Sequence, residues 1–117
     1  MTYSEWLYAF PSVALMLLAI PLILRRIPPN PLYGLRVPAT YRDDQVWYDA
    51  NAASGRDFLV FGASLTLFTF VLPVFGVRDM AFAIAWSLAV GAGAIGTVVL
   101  GWTRANRMFR ERQTRAR

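Results

Sequence analysis

The sequence predicts an all-α integral membrane protein, a bundle of three spanning helices with a cytoplasmic loop and a short amphipathic helix between the first two. The chain of 117 residues is 56% hydrophobic and only 16% charged, which is too apolar for an ordinary soluble domain. Its charged residues also lie outside three long apolar stretches. We therefore expect a single membrane domain over residues 1–117.

The three apolar stretches are long enough to cross a bilayer. They cover about residues 6–24, 58–77 and 80–103, and none of them contains a charged residue. A helix rises about 1.5 Å per residue and the hydrocarbon core is about 30 Å thick, so about 20 apolar residues span it. The residues before the first stretch lack the basic segment of a signal peptide, which predicts a retained span. The turn at residues 75–79 is short enough to predict a hairpin.

The arginines predict the orientation of the three spans. All twelve basic residues are arginines, of which five lie in the loop 25–57, one in the hairpin turn and six in the basic tail 104–117. Because basic segments stay in the cytoplasm, we expect the N-terminus outside and the C-terminus in the cytoplasm. The aromatic residues near the span ends are typical of the membrane interface: Tyr3, Trp6, Tyr8 and Trp102.

The third stretch carries a row of small residues at every fourth position, which places them on one helix face: Ala85, Ala89, Gly93, Thr97 and Gly101. In lipid, small side chains let helix backbones approach closely. The row is predicted to serve helix packing, either against another span of the same chain or as a homodimer face.

The loop 25–57 contains most of the polar chemistry of the chain. Its prolines stop the first helix and favour an extended path, and Gly34 suggests a tight turn with positive φ. Thr40 is predicted as the N-cap of a helix over residues 40–55. This amphipathic helix would lie on the membrane surface and could continue into the second span. It would place four residues on one face: Trp47, Asn51, Ser54 and Phe58.

The loop resembles the signature of the SdpI family of bacterial membrane proteins. The residues that carry the resemblance are Pro29-Asn30-Pro31-Leu32-Tyr33-Gly34-Leu35-Arg36-Val37-Pro38, followed by Trp47 and Asn51. The resemblance implies a multi-pass protein of the bacterial inner membrane with a role in immunity to a secreted toxic peptide or in signalling. Val37 departs from the pattern, in which Thr is the more familiar residue.

Five loop residues are the candidate ligand-binding residues: Asn30, Tyr33, Arg36, Trp47 and Asn51. A guanidinium binds carboxylate or phosphate through two parallel hydrogen bonds, so Arg36 would recognise a peptide, a lipid headgroup or a small anion. The alternative is that these polar side chains bond the loop carbonyls and one another. Pro29, Gly34 and Pro38 are predicted to be structural.

The composition excludes the commonest kinds of catalytic site. The chain has no Cys, His or Lys, so it lacks thiolate nucleophiles, the commonest general base and metal ligand, and Schiff-base lysines. The aspartates at positions 43, 44, 49 and 57 are poorly spaced for a divalent cation. We expect no catalytic residue, no metal, no cofactor and no enzyme activity.

The partners that we predict are the lipid bilayer and a toxic or signalling peptide, with a homodimer as a further option. The arginines of the tail are expected to meet anionic lipid, not nucleic acid, because only Phe109 accompanies them as an aromatic residue. Two other functions stay open at this point. They are a small oligomeric transporter or exporter, and a structural subunit of a membrane complex.

Overall fold

The computed structural model describes residues 3–116, with side chains from Leu7 onward, so the side chains of Tyr3 and Trp6 lie outside the described residues. The helices are α1 (Tyr3–Ile23), α2 (Pro38–Arg42), α3 (Asp44–Val71), a 3-10 helix (Leu72–Phe75) and α4 (Asp79–Arg115). Residues 3–116 contain no strand, and the predicted all-α fold class is confirmed for this range.

α3 is the central helix, because it packs against both α1 and α4. Two of its glycines allow the close approach of α1. A Cβ on Gly62 would lie 3.0 Å from the carbonyl oxygen of Ser12, and one on Gly55 would lie 3.0 Å from that of Ala19. Glycines at this seven-residue spacing face the same neighbour; Gly62 lies in the second apolar stretch and Gly55 precedes it.

Polar and aromatic side chains also join the helices. The Thr66 hydroxyl donates to Ser12 Oγ at 3.0 Å, which links α3 to α1. The indole of Trp86 donates to Thr69 Oγ1 at 3.1 Å, which links α4 to α3. Tyr8, predicted at the membrane interface, meets the rings of Phe82 and Trp86 edge-on at 5.0 Å. The two ring contacts of Tyr8 hold the start of α1 against the start of α4.

The outer surface of the bundle is strongly apolar. Two helical segments, Asp44–Phe75 and Asp79–Arg115, are long and apolar enough to cross a membrane, and the apolar described part of α1, Leu7–Ile23, is shorter. The most apolar part of α4 contains no buried residue; for example, Leu88 is 69% exposed. So large an apolar surface marks an interaction site, and along helices of this length it is compatible with insertion into a membrane.

The amphipathic helix begins later than the sequence predicted. Thr40 is not an N-cap, because it lies inside the five-residue α2 and its hydroxyl donates to the carbonyls of Leu35 and Val37, at 3.0 and 2.9 Å. The helical conformation is interrupted at Asp43. The carboxylate of Asp43 accepts the N–H of Gln45 at 2.9 Å and caps α3. α3 then continues into the second apolar stretch without interruption.

The basic segment after residue 103 is not a separate tail, because its described part continues α4 to Arg115. Ala105 is fully buried, and Met108 and Phe109 pack with it against a small core formed by Val37, Ala39, Val46 and Ala50. Three apolar positions spaced three and four apart hold this part of α4 against the loop and α3. We call the region formed by Arg25, residues 43–57 and residues 104–115 the basic end of the bundle.

Candidate functional site

Asn30 organises the turn of the loop that precedes α2. Its Oδ1 accepts the N–H groups of Leu32 and Tyr33, at 2.9 and 2.7 Å. Its Nδ2 donates to the carbonyl oxygens of Pro28 and Tyr33, at 2.8 and 3.1 Å. The amide therefore uses both its donor and its acceptor capacity inside the loop, which is the behaviour of a turn-forming residue.

Trp47 and Asn51, one turn apart on α3, anchor two other points of the loop. The Trp47 ring is fully buried and its Nε1 donates to the carbonyl of Ile27 at 2.8 Å. Asn51 is 2% exposed; its Oδ1 accepts the N–H of Leu35 at 2.5 Å and its Nδ2 donates to the Trp47 carbonyl at 2.9 Å. Because these buried polar groups are hydrogen-bonded, the fold avoids the free-energy cost of leaving a buried donor or acceptor unpaired.

Gly34 lies against this anchor in a conformation that other residues rarely adopt. Its φ is +110°, and a Cβ at this position would lie 2.7 Å from Oδ1 of Asn51 and 3.4 Å from the Trp47 ring. The positive φ predicted for Gly34 is confirmed, and the close approach gives a second reason for glycine. Pro38 is the first residue of α2, where a proline suits the helix start, and Pro29 is exposed in the loop.

Tyr33 lies in a cleft between the loop, α1 and α3. The cleft has a volume of about 210 Å³ and is lined by Leu18, Leu22 and Phe58, among others. The Tyr33 hydroxyl is buried and has no hydrogen-bond partner within the part of the chain that the structure describes. Burial raises the pKa of this phenol, because an apolar environment disfavours its charged form.

Arg36 is the candidate residue that remains exposed. One terminal nitrogen of its guanidinium donates to the carbonyl of Pro31, and no carboxylate pairs with it among the described residues. Of the five candidates, the structure places Asn30, Trp47 and Asn51 in supporting contacts and Tyr33 in the cleft. Arg36 alone of the five presents a charged group at the surface.

Two members of the small-residue row of α4, Gly93 and Gly101, lie against side chains of α3. A Cβ on Gly93 would overlap the ring of Phe61, and one on Gly101 would lie 2.8 Å from Ser54 Oγ. Ala85, Ala89 and Thr97 are half-buried. Gly93 and Gly101 therefore pack within the chain, and the homodimer face stays a prediction.

Three ion pairs join distant parts of the chain at the basic end. Arg104 pairs with Asp57 at 2.8 Å, Arg112 with Asp43 at 2.5 Å, and Arg25 with Asp49. The hydrogen bond from Arg112 lowers the pKa of the Asp43 carboxyl, although partial burial opposes this. The ion-pair partners of these aspartates were not predicted from the sequence, because pairs up to 69 residues apart leave no local pattern.

The sequence model of the SdpI/YfhL protein family matches residues 26–103, two thirds of the chain. The match therefore covers the loop, α2, α3 and the apolar part of α4. No curated protein and no solved structure matches the chain.

Proposed function

Because the chain belongs to the SdpI/YfhL protein family, we propose that it is a non-enzymatic membrane protein that binds an anionic group of a toxic or signalling peptide. The loop before α2 presents the binding group, Arg36. The resemblance to SdpI proteins motivates the peptide and the role in immunity. The chemistry of the exposed guanidinium supports an anionic group, since it binds a carboxylate through two parallel hydrogen bonds.

The proposed arrangement has three spans, with the N-terminus outside and the C-terminus in the cytoplasm of a bacterial inner membrane. Its support is the arginine distribution of the sequence together with the packing of the helices. Tyr8 near the start of α1 meets Trp86 near the start of α4, while Ile23 at the end of α1 lies beside Gly55 near the start of α3. Helices in this order alternate in direction, which is consistent with three crossings of one bilayer.

The observation that carries the proposed function is the contrast between Arg36 and its neighbours. Asn30 and Asn51 use their amides to hold the loop, whereas the Arg36 guanidinium makes a single hydrogen bond within the described residues, to the Pro31 carbonyl. A loop whose backbone is fixed in this way holds an arginine in place before any ligand arrives. Such preorganisation reduces the entropy lost on binding.

The experiment is a protection assay in bacteria that are killed by a secreted, membrane-active toxic peptide. Cells expressing the wild-type chain should survive, and cells expressing Arg36→Gln at the same membrane level should not. Arg42→Gln is the matched control, because Arg42 is also exposed and its replacement removes the same charge. It should protect as well as wild type.

Two results would count against the proposed function. Failure of the wild-type chain to protect against a panel of such peptides would remove the immunity role. Equal protection by wild type and Arg36→Gln would show that the guanidinium does not contact the peptide.

A further inference from the structure

A second group of arginines, separate from Arg36, lines a cleft at the basic end. The cleft has a volume of about 330 Å³ and lies between the end of α1, the first turns of α3 and the last turns of α4. Four arginines line it: Arg25, Arg56, Arg112 and Arg115. No local sequence pattern marks this group as a cluster, because its members come from three distant parts of the chain.

The charges of the cleft are only partly balanced. Its lining contains two carboxylates, Asp49 and Glu111, against four guanidinium groups, which gives a formal charge of +2. Arg25 is paired with Asp49, and Arg112 is paired through Nε with Asp43, which lies outside the lining. Arg56 and Arg115 have no ion pair among the described residues. Arg56 and Arg115 therefore share the cleft with one carboxylate that also has no ion pair among these residues, Glu111, and one positive charge remains unbalanced.

The position of the cleft is at the boundary between apolar and charged surface. Arg25 follows the last apolar residue of the first stretch, and Arg56 lies two positions before the start of the second stretch, at Phe58. Ala53 and Met108 add apolar atoms to the lining. In the three-span arrangement proposed above, this level corresponds to the lipid headgroups on the cytoplasmic side.

We propose that this cleft binds a phosphate group, and that an anionic phospholipid in the surrounding leaflet supplies it. Guanidinium groups match phosphate oxygens in bidentate geometry, and the apolar lining lies where the glycerol and the first acyl carbons of a lipid would be. The inference rests on the proposed three-span arrangement, but it does not involve Arg36.

The test uses the full chain purified in a neutral detergent. Its thermal unfolding midpoint is measured against increasing dioctanoyl phosphatidylglycerol, dioctanoyl phosphatidylcholine or inorganic phosphate at constant ionic strength. Phosphatidylglycerol should raise the midpoint in a saturable way, and phosphatidylcholine should not. A response to inorganic phosphate equal to that of phosphatidylglycerol would overturn the lipid as the source. The absence of a saturable response to all three would overturn the phosphate site.

The variant that tests the cleft is Arg56→Gln/Arg115→Gln. Its half-saturating concentration of phosphatidylglycerol should rise at least about tenfold. The matched control is Arg107→Gln/Arg110→Gln, which removes the same charge from exposed positions of α4 outside this cleft. The control should stay within about twofold of wild type, whereas an equal loss in both variants would indicate general attraction to anionic lipid and overturn the site.

Two further variants keep the proposal testable. Arg56→Lys/Arg115→Lys retains the charge but loses the bidentate geometry, so it should also bind more weakly than wild type; unchanged affinity would overturn recognition by the guanidinium groups. Arg36→Gln should bind phosphatidylglycerol like wild type. Unchanged binding of phosphatidylglycerol by Arg36→Gln would show that the cleft acts independently of Arg36. The lipid site and the proposed peptide-binding function can therefore fail separately.

Discussion

A Cβ on Gly34 would lie 2.7 Å from Oδ1 of Asn51, the same oxygen that accepts the N–H of Leu35. Gly34→Ala should therefore destabilise the protein for two reasons: the positive φ strains an alanine, and the added Cβ would clash with Asn51. We expect a loss of about 2 to 4 kcal/mol in the free energy of unfolding, measured by equilibrium unfolding in mixed SDS and maltoside micelles.

The control for Gly34 is Gly76→Ala. Gly76 also has a positive φ, +81°, but a Cβ there would meet nothing within 4 Å. Gly76→Ala should lower the free energy of unfolding by about 1 to 2 kcal/mol, because the substitution adds only backbone strain. Equal losses at the two glycines would show that the contact with Asn51 does not contribute.

The ion pair between Asp43 and Arg112 should make stability depend on pH. The pKa of Asp43 in the folded protein lies below its ordinary value of 3.8. The ionised carboxylate therefore stabilises the fold above that pH, and the contribution is lost as the pH falls through the folded-state pKa. Asp43→Asn keeps an N-cap acceptor but removes the charge, so it should cost up to about 1 kcal/mol at pH 7.

The measurement for Asp43 is the free energy of unfolding of wild type and Asp43→Asn between pH 2 and pH 7. The difference between them should shrink toward zero at the acid end. Asp44→Asn is the control, because Asp44 is exposed and has no ion pair among the described residues. A difference for Asp43→Asn that is the same at every pH would rule out the ion pair as its cause.

Tyr33→Phe should leave stability unchanged or raise it by up to about 1 kcal/mol. The Tyr33 hydroxyl is buried without a partner in the described part of the chain, and an unsatisfied buried hydroxyl costs free energy that Phe would avoid. The same unfolding assay measures the effect. A loss of more than about 1 kcal/mol would mean that the hydroxyl makes a stabilising hydrogen bond.

Local sequence chemistry was sufficient to predict much of the molecule. Spacing and residue type predict the apolar stretches, the glycine turn at Gly34 and the shared helical face of Trp47, Asn51 and Ser54. The three residues of this helical face are buried. The N-cap was predicted incorrectly, because both Thr40 and Asp43 suit that position. The Thr40 hydroxyl instead donates to carbonyls three and five residues earlier, and the second helix starts after Asp43.

The features that could not be predicted depend on contacts between distant residues. The pairing of Asp43 with Arg112 spans 69 positions, and the cleft at the basic end needs α1, α3 and α4 to meet. The helical continuation of α4 was within reach of sequence reasoning, since Ala105, Met108 and Phe109 have helical spacing. The high arginine content of that segment favoured an anchoring interpretation instead.

The most direct test of the central claim compares two variants in one detergent. The claim is that Asn51 builds the loop while Arg36 is free to bind a ligand. The free energy of unfolding of Asn51→Leu should fall by about 2 kcal/mol or more, because the Leu35 N–H loses its partner, and that of Arg36→Gln should change by less than about 0.5 kcal/mol. A large loss in Arg36→Gln would contradict the account, because it would show that Arg36 holds the loop together.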